Sequence, residues 1–168
     1  MFGKRRKNGV QLCIPGFGDR HIHTLLSDYD GTLSCNGKVG TNLKDQLVRL
    51  ADLVEIHILT ADKRAKSSDC FGALPVHAHI LAGDDQDVQK RRYLNDFAPA
   101  NVAAFGNGNN DRLLFDAVKE NGGLCIAIDN GEGCAIDAIL HAHLFVHDAS
   151  KALGLLLDPE TCAAALRY

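Results

Sequence analysis

Ser27-Asp28-Tyr29-Asp30-Gly31-Thr32 is the stretch on which the reading of this chain turns. The apolar pair Leu25-Leu26 precedes it, so it falls where a short strand ends and a glycine permits a tight turn. Asp28 and Asp30 are two residues apart, and strand pleating alone sends both carboxylates to one side. Carboxylates facing one pocket repel each other unless a cation relieves them. Hard oxygen ligands suit magnesium, which keeps several waters and accepts one or two carboxylates plus a substrate phosphate. Standing alone, the string also fits an Asx-turn with solvated acids.

Outward from this stretch, short apolar runs alternate with Gly/Asp/Asn-rich turns and with helical spacing. Strands are expected near Leu25 and over residues 54–59, 76–81, 102–105, 124–128 and 144–146. Helical spacing runs over 43–50, 63–71, 87–97, 111–121, 133–140 and 149–157, with a short terminal helix in 158–168 begun near Pro159. Strands and helices alternating at this pitch predict a three-layer α/β/α core. Its sheet is mostly parallel and covered on both faces, in a Rossmann-like, doubly wound architecture whose chemistry sits beyond the carboxyl ends of the strands. Ahead of it, residues 10–14 and 21–26 flank the turn-rich segment 15–19 and read as a β-hairpin leading into the core.

Length and composition agree with one domain over residues 1–168, with 1–9 as a flexible basic tail. The run Lys4, Arg5, Arg6, Lys7 is not followed by an apolar stretch of signal-peptide length, and no aliphatic run approaches the ~20 residues that cross a bilayer. A net charge of -3 and the absence of Trp argue against a nucleic-acid or membrane surface as partner. Six cysteines without a C-x-x-C pair read as reduced thiols, and a cytoplasmic location is expected.

Three further elements accompany the aspartates. Thr60 closes the run Ile56-His57-Ile58-Leu59, so its hydroxyl and the Ala61 amide are expected at the sheet edge that carries Asp28, suited to a phosphate oxygen; a Thr there also serves as a plain helix cap. Lys90, in Gln89-Lys90-Arg91-Arg92, lies on a helix whose start could aim one cation at the pocket, whereas Arg91 and Arg92 fit the solvated surface. Phe105-Gly106-Asn107-Gly108-Asn109-Asn110-Asp111 follows another strand, with glycines for tight turns and side-chain oxygens for a cation.

D-x-D-G-T, a Thr after a strand, a Lys and G-N-G-x-N-D, in that order, resemble the motif set of the haloacid dehalogenase superfamily. Within it the chain looks like the capless soluble proteins related to the phosphorylation domain of P-type ATPases. The resemblance implies that Asp28 attacks phosphorus and becomes transiently phosphorylated, and that Asp30 protonates the leaving oxygen and then activates water. It implies magnesium held by Asp28, the Asp30 backbone carbonyl and Asn107, with Asp111 in or just behind that shell and Asn110 ordering the loop. Thr60, Ala61 and Lys90 would hold the transferring phosphoryl group of a phosphorylated substrate.

Two departures qualify the resemblance. Many relatives carry an acid where this chain has Asn107, which removes a charge from the metal. The ATPases have Thr where this chain has Asp30, and an acid/base there favours rapid hydrolysis over a persistent phosphoenzyme, so a phosphatase is expected. The intervals from Asp30 to Thr60 and from Thr60 to Lys90 leave no space for a sizeable cap. An open site is covered either by a neighbouring subunit in a homo-oligomer or by a large substrate. The rival reading is a non-catalytic magnesium- or phosphate-binding module. The pairs His21/His23, His77/His79 and His141/His143 could present imidazoles to a metal, but read more simply as strand-end residues.

Overall fold

The computed structural model describes residues 7–63, 71 and 73–168. β1 (Val10–Leu12) and β2 (Arg20–Ile22) pair antiparallel, Val10 opposite Ile22, as a separate two-stranded sheet. The expected strand over 21–26 is divided at His23. There the chain leaves the hairpin and takes up parallel partners: His23 N–H donates to Asn101 O at 2.8 Å, and Glu55 N–H donates to His23 O at 2.8 Å.

The core then runs β3 (Thr24–Ser27), α1 (Thr41–Ala51), β4 (Glu55–Thr60), β5 (His77–Ile80), α2 (Gln86–Tyr93), β6 (Val102–Gly106), α3 (Arg112–Glu120), β7 (Leu124–Ile128), α4 (Ile136–His141), β8 (Leu144–Val146), α5 (Ala149–Leu157) and α6 (Pro159–Leu166). The six core strands form one parallel sheet in the order β5-β4-β3-β6-β7-β8. The helix expected over 63–71 lies, apart from its end residues, outside the described residues. Among the described residues, no helix is long and apolar enough to cross a membrane.

Burial on both faces explains the near-continuous apolar strands. Leu25, Ile56, Ala103, Phe105 and Ile126 pack on one face with Leu47 and Leu50 of α1 and Leu153 and Leu156 of α5. Their neighbours Leu26, Leu59, Ala104, Cys125 and Ala127 face the other way, against Leu114, Phe115 and Val118 of α3 and Ala138 of α4. Residues 28–54 hold only a small hairpin and α1, so no cap module stands between β3 and β4.

His143 has a structural role that its sequence context did not suggest. Its Nδ1 accepts from Cys125 N–H at 3.0 Å, and its ring meets Phe17 of the hairpin turn edge-on at 5.2 Å. Burial, reinforced by Lys119 and Arg20, lowers its pKa from 6.5 to about 4, so the neutral ring is the folded form. Between those two values the unfolded chain binds more protons, and stability is lost as pH falls. Going from about pH 7 to about pH 4.5, the melting temperature should therefore fall more in the native protein than in His143→Asn, which can keep an acceptor without titrating. Equal acid sensitivity in thermal melts of both would remove His143 from this linkage.

Candidate active site

The sheet order places β3 between β4 and β6, so successive connections leave β3 in opposite directions along the sheet. A crevice opens beyond the strand ends at such a switch point. Asp28 follows β3 and stays anchored to the ladder, its N–H donating to Phe105 O at 3.0 Å. Thr60 ends β4, and Asn107 follows β6. The site is thus assembled from rigid strand ends.

Lys90 is the one buried side chain that α2 contributes. Its Nζ lies 2.8 Å from Asp28 Oδ1 and 2.7 Å from Asp111 Oδ1. The other Asp111 oxygen accepts from the N–H groups of Asn107 and Gly108, both at 3.0 Å. With both oxygens engaged and no exposed surface, Asp111 holds Lys90 and the 106–111 turn from behind. Gly106 is required by this packing, since a Cβ there would stand 2.3 Å from Asp111 Cγ. Arg91 and Arg92 face solvent, with Arg91 Nη1 donating to Asn95 Oδ1 at 3.1 Å.

Burial would lower the Lys90 pKa, but the charges of Asp111 and Asp28 and the hydrogen bonds to both outweigh it and raise it, so the ammonium stays charged. For Asp28, burial pushes the pKa up to about 6, with Lys90 opposing and Asp111 adding to the rise. At neutral pH the carboxylate is mostly ionised. Its side chain keeps 11% of its surface open, enough to meet a ligand.

Gly31 turns the chain with φ +72°, and a Cβ on it would stand 2.2 Å from Asn107 Nδ2. That close approach brings the β3 and β6 loops together. The Thr32 hydroxyl lies 3.3 Å from Asp28 Oδ2 and 3.1 Å from Asn107 Oδ1, donating toward both, so these two oxygens converge on one place. Hard, convergent oxygens beside a carboxylate whose ionisation burial opposes fit a divalent cation, which would offset that cost. Among the described residues, no three His, Cys, Asp or Glu side chains form a metal cluster, so the fit rests on amide and backbone oxygens together with Asp28.

Asp30 is exposed at the rim. The Thr60 hydroxyl is 3.4 Å from Asp30 Oδ2 and accepts from Asp62 N–H at 2.9 Å, so it joins a local turn and faces the acid at once. Ala61 follows, exposed at the same edge. Asn110 Nδ2 reaches Gln86 Oε1 at 3.4 Å, joining its loop to the start of α2.

Two elements of the site escaped the sequence reading. Beyond a buried turn at 31–34, residues 35–38 form a small flap hairpin, with Asn36 and Gly37 both left-handed at its tip (φ +51° and +69°) and Cys35 and Lys38 exchanging backbone bonds of 3.0 and 3.1 Å. The Asn-Gly dipeptide was the available signal, because a two-residue hairpin turn needs positive φ at both positions. The second element is the 129–135 loop after β7, which grips Asn107: Ala135 N–H donates to Asn107 O at 2.7 Å, and Asn107 Nδ2 donates to Gly133 O at 3.3 Å.

Removing Lys90 strands two buried carboxylates. Lys90→Met should therefore cost about 3–5 kcal/mol of stability, seen as a lower denaturation midpoint. A midpoint equal to that of the native protein would mean that the ammonium does not bridge Asp28 and Asp111.

No protein-family model matches the chain. It is 38% identical to an uncharacterized protein of Methanocaldococcus jannaschii over 66 residues, which cover 39% of this chain and 67% of that protein. Among solved structures, a putative HAD family hydrolase of Streptomyces avermitilis superposes with a TM-score of 0.59 at 17% identity, covering 88% of this chain and 87% of that one. The 3-deoxy-D-manno-octulosonate 8-phosphate phosphatase of Moraxella catarrhalis, solved with magnesium, phosphate and KDO, gives 0.61 at 15% identity, covering 86% and 90%. The cobalt-bound deoxy-D-mannose-octulosonate 8-phosphate phosphatase of Haemophilus influenzae gives 0.62 at 13% identity, covering 85% and 91%. The chain has the fold of the haloacid dehalogenase superfamily of hydrolases.

Proposed function

We propose that this chain is a magnesium-dependent phosphatase that cleaves phosphate monoesters through an aspartyl phosphate on Asp28. The observation that carries the reading is the Lys90 ammonium, which bridges Asp28 and the fully buried Asp111 and leaves 11% of the Asp28 side-chain surface exposed. The likeness to phosphatases solved with magnesium or cobalt supports it at the level of fold.

In this reading each step falls to a residue of the chain. Asp28 carries the attacking oxygen, and Lys90 lowers the charge density on that carboxylate and on the phosphoryl oxygens beside it. As the new phosphorus–oxygen bond forms, the bond to the leaving oxygen breaks and Asp30 gives that oxygen a proton. Asp30, now a carboxylate, takes a proton from the water that attacks phosphorus, and cleavage of the phosphorus–Asp28 bond returns inorganic phosphate and the free acid. Thr60 and the Ala61 amide contact the phosphoryl oxygens. Asp28, the Asp30 backbone carbonyl and Asn107 would hold magnesium, with Asp111 acting from behind through Lys90 and the loop amides. When bound, the ion neutralises charge on the transferring group.

Hydrolysis of p-nitrophenyl phosphate should require magnesium and stop with EDTA or with Asp28→Asn. Turnover that persists in Asp28→Asn would sink the mechanism. Asp30→Asn should slow hydrolysis by about 100-fold or more. With acetyl phosphate, whose leaving group needs little protonation, that variant should accumulate phosphate on Asp28, visible by mass spectrometry after acid quench.

Asn107→Asp restores an acid beside the ion and should tighten magnesium binding, whereas Asn107→Ala should weaken it. Unchanged magnesium titrations in both would take Asn107 out of the metal shell.

A further inference from the structure

Glu132 stands in the turn after β7, where Gly131 and Gly133 take left-handed backbone (φ +90° and +92°) and donate to Asp129 Oδ1 at 3.1 and 2.9 Å. That turn directs the Glu132 carboxylate toward the catalytic loops. Its Oε1 accepts from the backbone N–H of Asn36 at the tip of the flap hairpin. Its Oε2 lies 3.4 Å from where a Cβ on Gly31 would stand, so the same carboxylate also borders the Asp30–Gly31 turn. One side chain therefore bonds the tip of the hairpin and lies beside the turn that leads into it, and the proposed chemistry makes no use of it.

Thr32, Leu33 and Ser34 seat the start of this segment in the protein interior, so the open matter is what holds its tip around Asn36. The Tyr29 hydroxyl donates to Gly37 O at 3.2 Å, and the Ser34 hydroxyl donates to Tyr29 O at 3.3 Å. A hairpin with a single antiparallel bridge does not hold its tip in place unaided, so what fastens the tip to the body decides where it lies. The loop that carries Glu132 is itself bound to Asn107 through Gly133 and Ala135. A latch on that loop couples the flap to both strand-end loops of the site.

We propose that Glu132 is a positioning residue that latches the tip of the 35–38 hairpin onto the 129–135 loop and so fixes the rim of the site near Asp28. The latch is a property of the hairpin; only its effect on turnover rests on the phosphatase reading. Glu132 contacts neither Asp28 nor Lys90 in the bonds described above, so its loss should loosen the mouth of the site and impair substrate binding more than the chemical step.

Hydrogen exchange of the full chain, read by mass spectrometry, tests this in the native protein, Glu132→Ala and Glu132→Gln. In Glu132→Ala the amides of 33–38 should exchange about tenfold faster or more, the size expected for a lost charge-assisted hydrogen bond, while those of β3 and β6 keep their protection. Glu132→Gln retains a side-chain carbonyl that can accept from Asn36 and should keep most of the protection. With p-nitrophenyl phosphate and magnesium, Glu132→Ala should raise KM several-fold with kcat within about twofold, and Glu132→Gln should restore KM. Unchanged exchange over 33–38 in Glu132→Ala, or exchange in Glu132→Gln as fast as in Glu132→Ala, would overturn the latch. A native protein that does not turn over p-nitrophenyl phosphate counts against the phosphatase reading, while the exchange comparison still decides the latch.

Discussion

The ammonium of Lys90, held between Asp28 and Asp111, is the contact on which the site depends. Moving one such ion from water into a dry interior costs several kcal/mol even after relaxation, so an arrangement of three buried charges persists only if every one is paired. Asp111 has both oxygens bound at 3.0 Å or less, whereas Asp28 meets Lys90 at 2.8 Å, the Tyr29 backbone and a looser 3.3 Å approach of Thr32. That asymmetry explains why burial dominates the Asp28 pKa despite a neighbouring cation. The triad carries one negative charge in excess, and the excess sits on the side of Asp28, the member that keeps some exposed surface.

The fold positions this triad with little freedom. β3 and β6 are adjacent and in register, Ser27 opposite Phe105, so the loops that follow them start side by side. Two glycines then allow contacts that any side chain would block, Gly31 against Asn107 and Gly106 against Asp111. α2 contributes differently. Its exposed face is strongly polar, and Lys90 is its one fully buried residue, so the ion triad fastens that helix to the sheet together with Tyr93, whose hydroxyl lies 3.0 Å from His57 Nδ1 of β4. The candidate site and the anchorage of α2 share one side chain.

The architecture was legible because a parallel sheet covered on both faces leaves a plain trace, apolar runs of five or six residues separated by turn residues and helical spacing. Asp28, Thr60, Lys90 and Asn107 were legible for a related reason: each stands at a strand end or on the helix facing one, in an order that matched a known pattern. The division at His23 was not, because residues 21–26 are compatible with one strand and the change of partner depends on Asn101 and Glu55, both far away in sequence. Nor was the work of Asp111, whose oxygens could as well have faced a cation; only the distances to Lys90 and to two loop amides decide it. His143 read as one of a strand-end pair, yet its ring is fixed by Cys125 and Phe17, contacts that no local pattern encodes.

The neutral Asn107 gains its meaning from the same charge count. An acid at that position would face the excess negative charge of the triad across the Thr32 hydroxyl, and with Asp30 at the rim it would add a further carboxylate to an already crowded pocket. An amide avoids that repulsion and still offers an oxygen, while its NH2 group is free to bind the Gly133 carbonyl, which a carboxylate could not do. The exchange gives weaker attraction for a cation and, in return, a firmer tie between the β6 loop and the loop after β7. Because that second loop also carries Glu132, the Asn107 amide gives mechanical continuity from the β6 loop to the flap.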